Sequence, residues 1–157
     1  MLMRFGLLCS FAMLMLLADV GTAKAQIIVI TDVQYTAPAN GNPAKAEPKG
    51  TWSLPGDGNS YRVVIDYGTI TNGSFTQAAN VSAGGLGDLV ITKVGGGGTY
   101  PWRSNGPHNL TNPPQGLYAR ARIQKMVGMN WQYVGGPGTE AFAPIPIPAP
   151  PPSGSND

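Results

Sequence analysis

The chain has 157 residues, including 22 glycines and 15 prolines, and its formal net charge at pH 7 is +2. So small a basic excess excludes a general nucleic-acid binder, and the composition excludes a membrane-spanning protein, a coiled coil and a multidomain enzyme. This much glycine and proline is typical of a disordered chain, but the low net charge gives no self-repulsion to hold a chain open. One small domain rich in turns is the class that remains.

Residues 1–25 contain the three parts of a secretory signal sequence. Arg4 supplies the positive charge, residues 5–17 form the apolar run, and Ala23-Lys24-Ala25 matches the small-x-small cleavage rule. The alternative is an uncleaved membrane anchor, which needs ~18 apolar residues, and this run is shorter. We therefore predict cleavage after Ala25, a mature chain that begins at Gln26, and a secreted or cell-envelope protein with no membrane span after cleavage.

The only cysteine, Cys9, lies inside this signal sequence. The mature chain therefore has no disulfide. Exported eukaryotic domains of this size often contain disulfides, so their absence favours a bacterial protein.

Eight short runs rich in β-favouring residues are separated by Gly-, Pro- and Asn-rich clusters, which predicts strands joined by turns. The runs are 27–35, 49–54, 61–67, 74–79, 88–94, 117–125, 131–134 and 139–143, and the last two are parts of one interrupted strand. In the first run the alternation puts Val29, Thr31, Val33 and Tyr35 on one face. Residues 36–48 have the composition of a loop. No stretch combines a 3.6-residue period with helix caps, so we expect no helix.

Seven or so short strands, each with one apolar face, predict an all-β domain of two sheets packed face to face over residues 26–143. The alternation is clearest in the run 61–67. Its residues on one face are Tyr61, Val63, Ile65 and Tyr67, and those on the other are Arg62, Val64 and Asp66.

Two motifs resemble fibronectin type III domains. Trp52-Ser53-Leu54-Pro55 followed by the Tyr61 to Tyr67 run is similar to the second and third strands of that family, and Ala119-Arg120-Ala121-Arg122 is similar to a later strand. The resemblance implies a seven-stranded immunoglobulin-like sandwich in which Trp52 and Tyr61 are core residues of opposite sheets. It also implies a binding or spacing role more often than catalysis. A generic bacterial immunoglobulin-like sandwich accounts for the same residues.

Residues 144–157 differ from the rest, because six prolines lie between positions 144 and 152. Such a segment is typical of an extended polyproline helix that cannot join a sheet interior. We predict a disordered, proline-rich tail, which is either a solvated extension or a docking strip for a partner.

The candidates for chemistry each lack a necessary part. His108 is the only histidine, and no nucleophile elbow is present to complete a hydrolase triad around it. Asp57-Gly58-Asn59 resembles the start of a calcium loop, but Tyr61 occupies the third ligand position. Gly95-Gly96-Gly97-Gly98 is not followed by the Gly-Lys-Ser/Thr of a phosphate loop. We therefore expect no catalytic residue, no metal and no cofactor, and a solvated loop position for His108.

The segment 95–116 lies between two predicted strands, has little strand character of its own, and contains Tyr100, Trp102 and Arg103. Long loops in small domains are often functional, and rigid rings beside an arginine suit a recognition surface. We predict that these three residues contact a protein or glycan partner. The alternative is that Trp102 folds back to cover one end of the sandwich.

A second candidate surface is the outward stripe of Tyr118, Arg120 and Arg122, with Lys93 beside it. Such a stripe could stack on sugars or bind anions. The alternative is a solvated sheet face whose charges discourage edge pairing.

Together these features predict an exported, non-enzymatic interaction or structural module of the cell surface or extracellular space, active in adhesion, assembly or spacing. Its partner is a protein, a glycan or, as one alternative, a second copy of the same chain. The runner-up is a carbohydrate-binding module that uses exposed aromatic rings: Tyr100, Trp102, Trp131 and Tyr133. A small secreted hydrolase built around His108 is the third class.

Overall fold

The computed structural model describes residues 26–78 and 88–150, and for 88–94 it describes the backbone only. In this part of the chain there are ten strands and no helix. The strands are β1 (Ile27–Thr36), β2 (Ala44–Leu54), β3 (Ser60–Thr71), β4 (Ser74–Gln77), β5 (Asp88–Val94), β6 (Gly98–Arg103), β7 (His108–Leu110), β8 (Leu117–Val127), β9 (Asn130–Tyr133) and β10 (Glu140–Pro144). Within the same residues, no helix has the length and hydropathy to cross a membrane.

The strands form two antiparallel sheets. The four-stranded sheet has the order β1-β2-β6, and β7 continues beside β2 after β6 ends. In the six-stranded sheet the long strands β3 and β8 pair at the centre, from Tyr61 opposite Lys125 to Thr69 opposite Leu117. The outer edge of β3 is covered by β5 and β4, and the outer edge of β8 by β9 and β10.

The core lies between the two sheets and comes from the alternating faces that the sequence indicates. Its largest fully buried side chains are Trp52, Tyr61, Leu54, Leu110, Leu117, Ile123, Val63 and Pro48. Trp52 belongs to the four-stranded sheet and Tyr61 to the six-stranded sheet, as expected. The prediction of an all-β sandwich is confirmed, and the arrangement is compatible with an immunoglobulin- or fibronectin-III-like fold.

The predicted face of β1 is wrong in its first half. Ile28 and Val33 are buried, whereas Val29 and Thr31 are exposed. A bulge between Ile30 and Asp32 shifts the register, so the strand changes the face that it presents to the core. A period of two cannot reveal this extra residue.

The predicted loop 36–48 is too long, because β2 already begins at Ala44. Pro48 lies inside this strand, and its carbonyl accepts a hydrogen bond from Ser104 N at 2.9 Å. In a strand the N–H and C=O of one residue point to the same side. Pro48 therefore faces the interruption between β6 and β7, where its missing N–H removes no ladder bond.

The packed fold also extends past the predicted boundary at residue 143. Ile145 is buried in the core, and its N–H donates to Leu117 O at 2.9 Å. Ile147 packs against the same core, and Gln115 Nε2 donates to Pro148 O. The isoleucines between the prolines thus hold the start of the tail on the domain. The prediction of disorder for 151–157 lies outside the described residues, as does the signal sequence at 1–25.

Candidate functional site

The segment 95–116 contains two strands, β6 and β7, which the low β-propensity of its Gly- and Pro-rich sequence had hidden. Both strands pair with β2. Side chains alternate along β6, so Tyr100 and Trp102 face inward, whereas Arg103 faces outward. The three residues predicted to share one recognition surface therefore lie on two opposite faces.

Trp102 is a core residue, with an exposed fraction of 2%. Its indole Nε1 donates to Thr51 O at 3.1 Å, and its ring lies beside Gly50 on the neighbouring strand. A Cβ at Gly50 would come within 2.9 Å of Trp102 Cζ2 and would overlap the Val29 carbonyl. The glycine thus makes room for the indole, and the prediction that Trp102 offers an exposed ring is wrong.

Tyr100 is half-buried at the margin of the same core, and its hydroxyl donates to Gly97 O at 3.1 Å. Arg103 remains exposed. It lines an open groove of about 510 Å³ on the outer side of the four-stranded sheet, together with Trp102 and the residues Thr31, Lys49, Gly50, Thr51 and Pro101. Of the three predicted contact residues, only Arg103 is fully available to a partner there.

His108 is buried rather than solvated, with an exposed fraction of 8%. Its Nδ1 shares a hydrogen bond of 2.6 Å with the hydroxyl of Tyr67 from the opposite sheet. The two rings also meet edge to face, with centroids 5.6 Å apart. The imidazole thus joins the two sheets.

The predicted stripe on β8 lies on the outer face of the six-stranded sheet, where two of its arginines bind one carboxylate. Arg120 and Arg122 each donate an Nη2 hydrogen bond to Asp66 Oδ2, at 3.0 and 2.5 Å. The side chain of Asp66 is 3% exposed, and those of Arg120 and Arg122 are 15% and 23% exposed. The register places Asp66 directly opposite Arg120, so the carboxylate fixes both guanidinium groups.

An aromatic ring lies against each arginine of this face. The guanidinium-to-ring distances are 4.0 Å for Arg120 and Phe75, 3.8 Å for Arg122 and Tyr133, and 4.4 Å for Arg62 and Trp131. Further bonds join Arg122 to the Tyr133 hydroxyl and Arg62 Nε to Gln124 Oε1. We call this surface the arginine face: Arg62, Asp66, Phe75, Arg120, Arg122, Trp131 and Tyr133.

The arginine face carries three guanidinium groups and one carboxylate, and it is only partly exposed. Cation–π contacts of this kind contribute about 0.5–1 kcal/mol each near a surface. These contacts also fix the positions of the arginines, because stacking and hydrogen bonds together leave each side chain little conformational freedom. The result is a rigid surface of oriented N–H donors and ring edges, which suits recognition of a partner with polar groups.

Tyr118, the third residue of the predicted stripe, is half-buried and lies opposite Gly68 of β3. A Cβ at Gly68 would come within 2.6 Å of Phe75 Cζ and would overlap the Thr76 carbonyl. Gly68 therefore lets the Phe75 ring reach Arg120. The side chain of Lys93 lies outside the described residues.

Sequence reasoning identified Arg120 and Arg122 but missed the partners that hold them. The outward position of Arg62 and Asp66 in one strand and of the two arginines in another was a usable signal. The sequence did not give the register of β3 against β8, which places Asp66 opposite Arg120. The short edge strands that carry Phe75 and Tyr133 had a local signal, because each follows a two-residue hairpin turn: Asn72-Gly73 before β4 and Gly128-Met129 before β9. Trp131 and Tyr133 were named only as exposed rings and not as partners of these arginines.

A small polar pocket of about 270 Å³ opens beside the arginine face, where β9 ends and β10 begins. It is lined by Arg122, Tyr133, Val134, Gly135, Gly136, Thr139 and Glu140. Glu140 is exposed and lies directly opposite Arg122 in the ladder. The pocket therefore combines a guanidinium, a carboxylate and an aromatic ring.

A third cluster lies at the end of the sandwich where the β2–β3 turn meets β8. Asp57 Oδ2 accepts hydrogen bonds from the Tyr61 hydroxyl at 2.7 Å and from Lys125 Nζ at 3.1 Å. Desolvation alone would raise the pKa of Asp57, but the hydrogen bonds from Tyr61, Asn59 and Lys125 outweigh it and hold that pKa well below 3.8. Burial and the neighbouring carboxylate raise the pKa of Tyr61, and the hydrogen bond to Asp57 raises that of Lys125.

These bonds explain the turn at Asp57. Asn59 N donates to Asp57 Oδ1 at 3.1 Å, which is an Asx turn rather than the start of a calcium loop. Among the described residues, no group of three His, Cys, Asp or Glu side chains is placed to hold a metal ion. Comparisons with family models, with curated proteins and with solved structures find no match for this chain.

Proposed function

We propose that this chain is an exported, non-enzymatic module of the immunoglobulin or fibronectin type III kind, which binds a protein or glycan partner at the cell surface or outside the cell. The observation that carries the proposal is the arginine face. Asp66 and three aromatic rings hold the arginines in fixed positions while Tyr133 stays 49% exposed. A preorganised surface of this kind loses little entropy when it binds.

The order of the strands supports the family assignment. The first, second, sixth and seventh strands form one sheet, and the other six form the second. Trp52 and Tyr61 occupy the core positions that the resemblance to fibronectin type III domains implies. That family supplies binding and spacing modules more often than enzymes.

The places where the described chain enters and leaves the sandwich support a spacing role. Gln26, the predicted first residue of the mature chain, directly precedes β1. The Gln26 amide donates to the Tyr61 hydroxyl at one end of the β3–β8 pair. The tail leaves past Ile145, which is bonded to Leu117 at the other end. Because the polypeptide enters and leaves the sandwich at opposite ends, the module can act as a spacer between the segments or partners on its two sides.

A hydrolase centred on His108 is disfavoured by the position of that residue. The imidazole lies in the core, and its Nδ1 is hydrogen-bonded to the Tyr67 hydroxyl. A general base must reach substrate, and this ring is closed in by both sheets.

Carbohydrate binding is the second candidate, and one observation favours it. Tyr133 is an exposed ring on the rim of the polar pocket, and the half-buried Trp131 lies two residues away on β9. Trp102 takes no part, because it is in the core.

Two measurements test the proposal. The full-length chain is produced with its own leader, and the mass of the exported product is determined; we expect a chain that begins at Gln26. The purified product is then sedimented with envelopes of the producing organism. We expect saturable binding that Tyr133→Ala weakens by about tenfold, which corresponds to about 1.4 kcal/mol.

The matched control is Met129→Ala, at a hairpin tip that is exposed but separate from the arginine face. It should bind like the wild type. Retention of the full-length chain in the cytoplasm would contradict export, and equal losses in both variants would remove the arginine face from the proposal.

A further inference from the structure

The polar pocket beside the arginine face is a built feature of the fold rather than a gap between loose loops. The connection 134–139 is fixed to a single residue of β8 at both of its ends. Val134 N donates to Ile123 O at 3.0 Å, and Ile123 N donates to Thr139 O at 3.2 Å. Inside the loop, Thr139 Oγ1 donates to Gly136 O at 2.7 Å. These bonds hold the wall of the pocket in one shape.

The groups that line the pocket are also fixed. Arg122 is bonded to Asp66 and to the Tyr133 hydroxyl, and its guanidinium covers one face of the Tyr133 ring at 3.8 Å. Since one ring face is covered, the exposed area of Tyr133 belongs to its other face and its edges. Glu140 adds an exposed carboxylate on the neighbouring strand.

The charges indicate which ligand chemistry the pocket accepts. An anion would meet the Glu140 carboxylate beside an Arg122 whose charge is only partly balanced, because Arg122 shares Asp66 with Arg120. A cation would meet the guanidinium. A neutral polyol suits both groups, because each hydroxyl can accept from a guanidinium and donate to a carboxylate. A ring with an apolar C–H face can also pack on the open side of a tyrosine.

The size of the pocket limits the ligand further. At about 270 Å³ it is smaller than the ~300–1,000 Å³ of pockets for drug-sized molecules. It can take one sugar ring and leave the rest of a glycan in solvent.

We propose that this pocket binds one neutral sugar residue of a glycan, with Arg122 and Glu140 bonded to its hydroxyls and Tyr133 packed against its ring. This inference rests on the proposed function of an exported binding module and names the class of its partner. It assigns Tyr133, Thr139 and Glu140 to a site that includes only one residue of the predicted stripe, Arg122.

The test is an NMR titration of the mature chain with the methyl glycosides of glucose, galactose, mannose and N-acetylglucosamine. We expect at least one of them to shift the backbone amides of residues 134–140 saturably, with a Kd on the order of 1 mM, as befits a single small ligand. Tyr133→Ala and Glu140→Gln should each weaken that binding by about tenfold.

Phe142→Ala is the matched control, because Phe142 is exposed on the same strand as Glu140 but does not line the pocket. It should leave the titration unchanged. Glucuronate serves as the charged probe, and it should bind more weakly than methyl glucoside because of the Glu140 carboxylate.

Three results would overturn the inference. The first is that none of the four glycosides shifts these amides at about 50 mM, a concentration that would saturate a millimolar site. The others are that glucuronate binds more tightly than methyl glucoside, or that Tyr133→Ala leaves the binding intact. If the chain is nevertheless exported and binds envelopes, only the sugar assignment fails. If the chain instead stays in the cytoplasm, the proposed function of an exported module fails, whatever the outcome of the sugar titration.

Discussion

Two parts of this molecule place an aromatic residue close to an arginine, and the fold uses them in opposite ways. In β6, Trp102 and Arg103 are adjacent in sequence, so alternation sends the indole into the core and the guanidinium to solvent. In the arginine face, Arg122 and Tyr133 come from neighbouring strands and share one face, where ring and guanidinium stack at 3.8 Å.

The difference teaches that closeness along a strand is poor evidence for a shared surface. Residues at i and i+1 of a strand separate, whereas residues paired across strands meet. We propose that the two regions differ in use: β6 fills the core, whereas the arginine face, which also stabilises the fold, carries the polar groups that remain accessible to a partner. Variants in the two regions test this difference, in order of decreasing effect.

Replacing Trp102 with alanine should cause the largest loss of stability. The change removes a fully packed indole and its hydrogen bond to Thr51, so we expect the free energy of unfolding to fall by about 3–5 kcal/mol in urea titrations. Arg103→Ala, the next residue on the opposite face, should change it by less than about 0.5 kcal/mol. Comparable losses in both variants would mean that β6 does not separate a core face from a solvent face.

Asp66→Asn should have the next largest effect, because it leaves the guanidinium groups of Arg120 and Arg122 without their carboxylate. Breaking a fully buried pair costs about 3–5 kcal/mol; since these arginines are partly exposed, we expect about 2 kcal/mol. Asp32→Asn is the control, because its ion pair with Lys49 is exposed on both sides and should contribute less than about 1 kcal/mol. A smaller loss for Asp66 than for Asp32 would contradict the account of the arginine face.

Gly68→Ala should destabilise the fold by about 1–3 kcal/mol, the usual cost of overpacking. The added methyl group would press on Phe75 and on the Thr76 carbonyl, and so would separate the Phe75 ring from Arg120. Gly96→Ala is the matched control, since the nearest atom to its Cβ is the Tyr100 hydroxyl at an ordinary 3.5 Å. Thermal melts of the two variants should differ clearly, and identical melts would show that Gly68 is not needed.

The smallest effect concerns pH. The pKa of Asp57 is lowered on folding, so its contribution to stability is present above its unfolded value of 3.8 and is lost as the pH falls towards the folded pKa. The raised pKa values of Tyr61 and Lys125 act at the other extreme: their contributions are present below about pH 10 and are lost as the pH rises.

As far as this cluster is concerned, the free energy of unfolding should therefore be constant between about pH 5 and 9. Asp57→Asn should reduce the slope of the free energy of unfolding against pH on the acid side. At neutral pH it should change that free energy by less than about 1 kcal/mol, because the ion pair of Asp57 with Lys125 is partly exposed. An unchanged slope in urea titrations between pH 2 and 5 would argue against the role given to Asp57.

The sequence predicts much of the fold because alternation survives in the long strands. The burial of Trp52 and Tyr61 and the inward and outward faces of β3 and β8 follow from a period of two. The bulge in β1 and the strand character of β6 do not follow, because one is a register shift and the other is set by pairing with β2. The burial of Ile145 and His108 likewise depends on tertiary contacts that no local pattern encodes.

The candidate site is predictable only in part for the same reason. Arg120 and Arg122 stand out as an outward stripe, whereas Asp66, Tyr133 and Glu140 join them only through strand register. Gly50, the one glycine within a predicted strand, was a signal of close approach that points to Trp102.

The central claim is that β6 supports the core while the surface around Arg122 and Tyr133 meets the partner. The most direct test measures envelope binding and melting temperature together for Trp102→Phe and Tyr133→Ala. We predict a crossed result: Trp102→Phe lowers the melting temperature and keeps binding of the folded protein, and Tyr133→Ala keeps most of the melting temperature and loses binding. The reverse pattern, with binding lost in Trp102→Phe and kept in Tyr133→Ala, would contradict the account.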